Sequence, residues 1–245
     1  MNRSPETSVA TAPASLAERT GASERFWWKH LTLPLLVRLA GLCVFEFTDV
    51  DLYASDLAYD FDARRWPLRR VKWIEPVLHD GGKYLVAATA FGALLVFLLS
   101  FAVPRLARWR RAALYLALCV GLSTGCVQLL KRSITRHYPI SIERYGGDVP
   151  YTRLFEAPPA GVKHVGGFPG AHVSGALSLC GLYFIARAHG VRRPSRWLLP
   201  ALVLGIIYGG VQHVRGLHYL SHNWWSAGIC WWMALGLYLA FRRRV

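Results

Sequence analysis

Six apolar stretches constrain this chain more than any other feature. Leu31–Phe47, Tyr84–Val103, Ala112–Leu130, Val173–Ala188, Trp197–Val214 and Trp224–Phe241 each approach the length that crosses a bilayer core, about 20 mostly apolar residues. Backbone N–H and C=O groups find no partner in hydrocarbon, so such stretches must close their hydrogen bonds internally, as helices. Arg38 and Glu46 interrupt the first stretch, eight residues apart and near one helical face, which directs them into a bundle or toward an interface. The expected fold is all-α, a polytopic membrane protein with a six-helix transmembrane bundle over residues 31–245.

Composition excludes the main soluble classes. The chain is 53% hydrophobic and only 18% charged, below the roughly 25% of soluble domains, yet 29 Lys and Arg against 14 Asp and Glu leave it at +15. An ordinary cytosolic enzyme, a disordered tail and a collagen-like fibre are all excluded. A nucleic-acid binder could carry this charge but has no use for so much apolar sequence, so no nucleic-acid partner is expected. Cys43, Cys119, Cys126, Cys180 and Cys230 all lie inside apolar runs with no C-x-x-C pair, which reads as small buried hydrophobes rather than a disulfide framework.

Charge also orients the bundle. Arg105–Arg111, Arg187–Arg196 and Arg242–Arg244 carry eleven basic residues and no acidic one, so the positive-inside rule puts them in the cytoplasm. Both termini are then inside, and residues 1–30 form a mobile cytoplasmic tail without the apolar region of a cleavable signal peptide. The connections Thr48–Lys83, Lys131–His172 and Arg215–Asn223 face outward, and the first two hold ten of the 14 acidic residues. Against this bias the outer side also carries Lys131, Arg132, Arg136, Arg144, Arg153, Lys163 and Arg215, and seven of nine histidines (79, 137, 164, 172, 213, 218 and 222) lie in or beside it. Basic residues so placed ask for an anionic partner. A substrate phosphate, anionic lipid headgroups and the loop acids themselves all qualify.

Three motifs favour the first. Lys131-Arg-Ser-Ile-Thr-Arg136-His-Tyr138-Pro139 ends the third span, and Phe168-Pro169-Gly170-Ala171-His172 opens the fourth. Gln212-His-Val-Arg215-Gly-Leu-His218-Tyr-Leu-Ser-His222 joins the fifth to the sixth. This order resembles the type 2 phosphatidic acid phosphatase (PAP2) superfamily, in a divergent bacterial branch, over about Ala112 to Phe241. The family pattern reads Lys-x6-Arg-Pro, Pro-Ser-Gly-His and Ser-Arg-x5-His-x3-Asp. Here Tyr138 stands at the first arginine, Gly170 and Ala171 at Ser-Gly, Val211 and Gln212 at Ser-Arg, and His222 at the aspartate.

The resemblance implies a phosphatase of the inner or plasma membrane, acting on a lipid phosphate at the outer, periplasmic face without metal or other cofactor. It assigns His218 as nucleophile through a phosphohistidine and His172 as the acid for the leaving oxygen. His222, in the aspartate's place, orients His218. Lys131, Arg136, Arg215 and the backbone N–H groups of Gly170 and Ala171 bind the phosphate. These residue types suit the reaction, because phosphoryl transfer needs fixed donors around spreading charge and imidazole serves as nucleophile or acid near neutral pH. A non-catalytic lipid-phosphate binder and a lipid phosphotransferase use the same residues.

Other readings attach to single features. His218 and His222 at i, i+4 also suit a metal. Arg144 and Arg153 can solvate a loop or pair with Asp148 and Glu156, and Tyr145 and Tyr151 can pack it. Trp224, Trp225, Trp231 and Trp232 read as membrane anchor and bundle surface. Asp49–Asp62 reads as a solvated lid, because its spacing fails the EF-hand pattern. Arg64–Trp73 reads as an interfacial segment.

Overall fold

In the computed structural model the described residues are 23–74, 76–77, 81–158, 161 and 165–242. Residues 1–22 of the expected tail lie outside them, as do His79, Asp80, Lys163, His164, Arg243 and Arg244. The described chain is helical, with no strand among its described residues and three isolated bridges. Helix α1 spans Ser23–Phe47, so helical structure includes residues 23–30. It is followed by α2 (Val50–Asp56), α3 (Gly81–Leu99), α4 (Arg110–Ser133), α5 (Ala171–Leu177), α6 (Gly181–Ala188), α7 (Leu199–Val214) and α8 (Leu220–Arg242).

Among the described residues five helices are long and apolar enough to cross a membrane: α1, α3, α4 and α7 with the turns leading into them, and α8. The fourth expected span is one helical stretch, Ala171 to Ala188, which tightens to 3-10 geometry at Ser178–Cys180 with right-handed backbone throughout. There Ser178 Oγ donates back to the Gly175 carbonyl at 2.6 Å, and Cys119 Sγ donates to the Ser178 carbonyl at 3.3 Å. With His172, Ser174, Ser178 and Arg187 the stretch is less apolar than the other five.

Contacts divide the chain into two units, Met1–Ala40 and Gly41–Val245. Within the second, α3 packs on α4, α4 on α8, and α5 on α7 and α8. This stretch is the inner layer: Ala176, Ser178 and Phe184 are fully buried. All five cysteines are free; Cys119, Cys180 and Cys230 are buried, and Cys43 is exposed.

At the end of this unit that carries Lys131 and His218, the loops form a second, aromatic core of Tyr59, Trp66, Ile142, Tyr145 and Val149. The ring centroids of Tyr59, Trp66 and Tyr145 lie 5.0 to 5.3 Å apart in tilted and edge-on pairs. Residues 49–62 therefore depart from the solvated lid expected of them. They include α2, whose Asp51 and Ser55 are buried, and they pack on the loop after α4.

Acids and bases of these two connections pair with each other. Arg144 grips Asp56 with Nε at 2.8 Å and Nη2 at 2.5 Å, and this guanidinium holds the Asp56 carboxyl below the usual range. Arg153 contacts Asp49 at 2.6 Å and Glu156 at 3.4 Å. Arg144 thus pairs with Asp56, and Tyr145 packs the loop while its hydroxyl donates to Asp56 at 2.8 Å.

Gly216 locks this layer onto the membrane helices. It adopts φ +72, and an added Cβ would lie 2.4 Å from the Trp66 ring. Gly216→Ala is expected to combine left-handed strain with overpacking and to cost about 2–4 kcal/mol. Gly92→Ala, in α3 with open space around it, should be neutral or slightly stabilising. Thermal unfolding in detergent checks both, and equal midpoints for the two variants would refute the account of Gly216.

Candidate active site

Three segments meet because each leaves a helix end at the same side of the bundle. Beyond α4, Arg136 N donates to the Val165 carbonyl at 3.1 Å and Gly167 N to the Arg136 carbonyl at 2.8 Å, so the first motif lies beside the strand-like run into the second. Tyr138 Oη adds a bond to the Gly166 carbonyl at 3.0 Å. Beyond α7 the chain turns sharply: the N–H groups of Leu217 and His218 both donate to the Gln212 carbonyl, at 2.9 and 3.3 Å. That turn delivers His218, and the first turn of α8 delivers His222.

The two histidines touch. His218 Nδ1 lies 3.2 Å from His222 Nδ1, and both residues are buried. Only one of these nitrogens can carry the shared hydrogen. If His218 donates, its Nε2 keeps the lone pair and His222 holds its hydrogen on Nε2. The His172 ring centroid lies 6.3 Å from that of His218, and Tyr138 stands edge-on to His218 at 5.6 Å. Lys131 Nζ sits 5.9 Å from the Tyr138 ring centroid. Burial pushes His218 well below the ordinary 6.5, with His222, Lys131 and His172 adding to the effect and the Gly167 carbonyl opposing it. His218 is therefore neutral at neutral pH, the form in which imidazole attacks.

The remaining sequence-predicted residues fall in three places. Arg215 is buried three residues before His218, with 4% of its surface exposed. Arg136 donates from Nη1 to the Thr135 carbonyl and from Nη2 to those of Leu154 and Glu156, so its guanidinium anchors the 154–156 loop. It also lines a cavity of about 30 Å³ with His222 and Asp51, room for one or two waters but not a phosphate. Gly170 N–H donates to the His222 carbonyl at 3.1 Å, and this donor is engaged within the protein. Ala171 begins α5 beside it. No group of three or more His, Cys, Asp and Glu able to hold a metal occurs among the described residues.

Three functional neighbours escape a sequence reading. Asp51 is 3% exposed and accepts the Ser221 N–H at 3.0 Å, capping the helix that carries His222. His213 Nδ1 lies 3.1 Å from the His218 carbonyl and its Nε2 3.1 Å from that of Ala54, so the ring ties α2 to the His218 turn. Tyr138, seen in sequence only as a departure from the family pattern, borders His218. The cap on α8 comes from 170 residues away, and no spacing signal connects the pair.

A groove of about 540 Å³ opens from this cluster between α3, α4, α5 and α7. Lys131, His172 and Gln212 line one part of it, and the remainder mixes small or apolar residues such as Val86, Ala90, Gly121 and Gly175 with Lys83, Thr124 and Gln128.

The cap can be tested directly. Burial is the main influence on the Asp51 carboxyl and raises it above the ordinary 3.8 despite the Ser221 donors. A raised folded value makes its contribution to stability greatest below pH 3.8 and smaller as pH rises through the folded value. Asp51→Asn, which keeps an acceptor without the charge, should therefore gain on the parent between pH 4 and 7. Asp51→Ala should lose about 0.5–2 kcal/mol at every pH. Thermal unfolding across pH reads both, and a parallel loss in the two variants would show that the carboxylate charge itself is required.

With the geometry in place, comparison with known proteins is informative. The profile of the PAP2 superfamily matches residues 112–245, which include all three motifs and the helices that present them. No curated protein and no solved structure matches the chain. A match over more than half of the sequence makes the chain a member of the PAP2 superfamily, whose members are phosphatases.

Proposed function

We propose that this protein is a lipid phosphatase of the bacterial inner or plasma membrane. It removes phosphate from a lipid phosphate or pyrophosphate at the outer face, through a phosphohistidine and without metal. The carrying observation is the Nδ1–Nδ1 contact of His218 and His222 at 3.2 Å, beside His172 and Lys131. With His218 as the donor in this contact, its Nε2 keeps the lone pair that attacks.

The reaction balances on these residues. His218 Nε2 attacks phosphorus, the bond to the leaving oxygen breaks, and protonated His172 gives that oxygen its proton. His222 accepts the hydrogen bond of His218 Nδ1–H as the ring becomes cationic. Water then attacks phosphorus as neutral His172 takes its proton, the P–N bond breaks, and phosphate leaves with His218 restored. Lys131 and Arg215 clamp the phosphoryl oxygens, and the Ala171 N–H at the start of α5 adds a donor. Arg136 contributes positive field from its anchored position and holds the 154–156 wall. The groove that shares Lys131 and His172 with the cluster supports a lipid substrate, since it offers the chain an apolar path next to the phosphate.

Purified protein should release phosphate from a panel of lipid phosphates in detergent with excess chelator present. His218→Gln should abolish this at normal folded yield, and Arg215→Ala should lower kcat/KM by roughly 10²–10³. The acid limb of kcat/KM that belongs to His218 should fall below pH 6.5, because burial keeps the ring neutral there. His222→Asp should keep activity and move that limb to higher pH, since a carboxylate stabilises the imidazolium. Chelator-sensitive turnover, or an unmoved limb in His222→Asp, would refute the mechanism. Phosphate binding without any release would identify a binder instead.

A further inference from the structure

Another cavity lies far from the histidines. It is about 690 Å³ and sits where the start of α4, the end of α6 and the end of α8 converge. Lys131 marks the other end of α4, 21 residues on, so the two sites are about 30 Å apart along a helix with a rise of 1.5 Å per residue.

The cavity has two kinds of wall. Its floor is aromatic, made by Tyr115, Phe184, Tyr238 and Phe241; the Phe184–Tyr238 and Tyr115–Phe241 ring centroids are 5.1 and 5.7 Å apart. Its rim carries Arg108, Arg110, Arg111 and His189, and no carboxylate of the described residues lines it. Arg110 is structural here: Nε donates to Ser100 Oγ at 2.9 Å, Nη2 to the Ser100 carbonyl at 2.5 Å, and the guanidinium lies 4.1 Å from the Phe101 ring centroid. His189 is stacked on Trp109, with centroids 5.4 Å apart, and Arg108 lies over the same Trp109 at 5.4 Å. Arg108, Arg111 and His189 are all exposed at this rim.

We propose that this pocket is a binding site for an anionic phospholipid of the leaflet opposite the histidine cluster. The phosphodiester sits among Arg108, Arg111 and His189, and the first carbons of one chain lie on the aromatic floor. Charge and shape point the same way: cations at the mouth ask for an anion, and an apolar floor at a membrane-helix end asks for a chain. A soluble anion would leave the half-buried Tyr238 and Phe241 of that floor in water. The reaction chemistry uses none of these residues, so this inference does not rest on the proposed mechanism.

The test uses the full chain, delipidated in neutral detergent and titrated with dioleoyl phosphatidylglycerol or dioleoyl phosphatidylcholine. Native mass spectrometry and the unfolding midpoint are the readouts. The parent should prefer phosphatidylglycerol by at least about tenfold, because guanidinium groups recognise phosphate and no acid here offsets the choline. The combined Arg108→Gln and Arg111→Gln variant should lose that preference, whereas Lys131→Gln should keep it. Equal retention of both lipids by the parent would overturn the proposal without any variant. So would undiminished preference in the double arginine variant, or full displacement of the lipid by an equal concentration of inorganic phosphate.

Discussion

The hydrogen bond from Gly170 N–H to the His222 carbonyl, 3.1 Å long, holds the candidate site in register. Ser226 Oγ lies next to it, 2.9 Å from the Gly170 carbonyl and 3.0 Å from that of His222, so the start of α5 and the first turn of α8 are joined twice. An added Cβ at Gly170 would lie 2.8 Å from Asn223 Oδ1, which makes this close approach a glycine position. The joint sets where His222 stands, His222 meets His218, and His172 follows Gly170 by two residues. One backbone contact thus fixes the relation of all three rings.

Around this joint the protein separates its charges by depth. Exposed bases and acids of the loops at this end pair with each other, Arg144 with Asp56 and Arg153 with Asp49 and Glu156. Such exposed pairs are worth only about 0.2–1 kcal/mol each, so most of the loop layer's stability comes from the aromatic core of Tyr59, Trp66 and Tyr145. Deeper in, Arg136, Arg215 and His218 are each buried, and burial disfavours positive charge on them. A bound phosphate relieves that penalty by bringing the opposite charge. On the proposed reading, substrate binding and the neutrality of His218 have the same electrostatic cause.

The membrane architecture was legible in the sequence because hydrocarbon admits few backbone solutions. The meeting of Lys131, His172 and His218 was legible too, since each stands at a helix end on one side, and His218 and His222 share a helix-like spacing. The structure differs where the determining contact is distant or lacks a period. Asp51 reads as part of a solvated acidic loop until Ser221 appears against it. Arg136 reads as a free clamp until the carbonyls of Leu154 and Glu156 surround it. The 3-10 tightening at Ser178–Cys180 lies inside an unchanged apolar pattern.

Covalent trapping tests the central claim most directly. The protein would be mixed briefly with a lipid phosphate labelled on its terminal phosphate, quenched in base and in acid, and mapped by peptide. A phosphohistidine survives base and is lost in acid. The account predicts base-stable label on the peptide that carries His218, undiminished by chelator and absent from His218→Gln at equal folded yield. Turnover with no label on that peptide, or label that persists in His218→Gln, would contradict it.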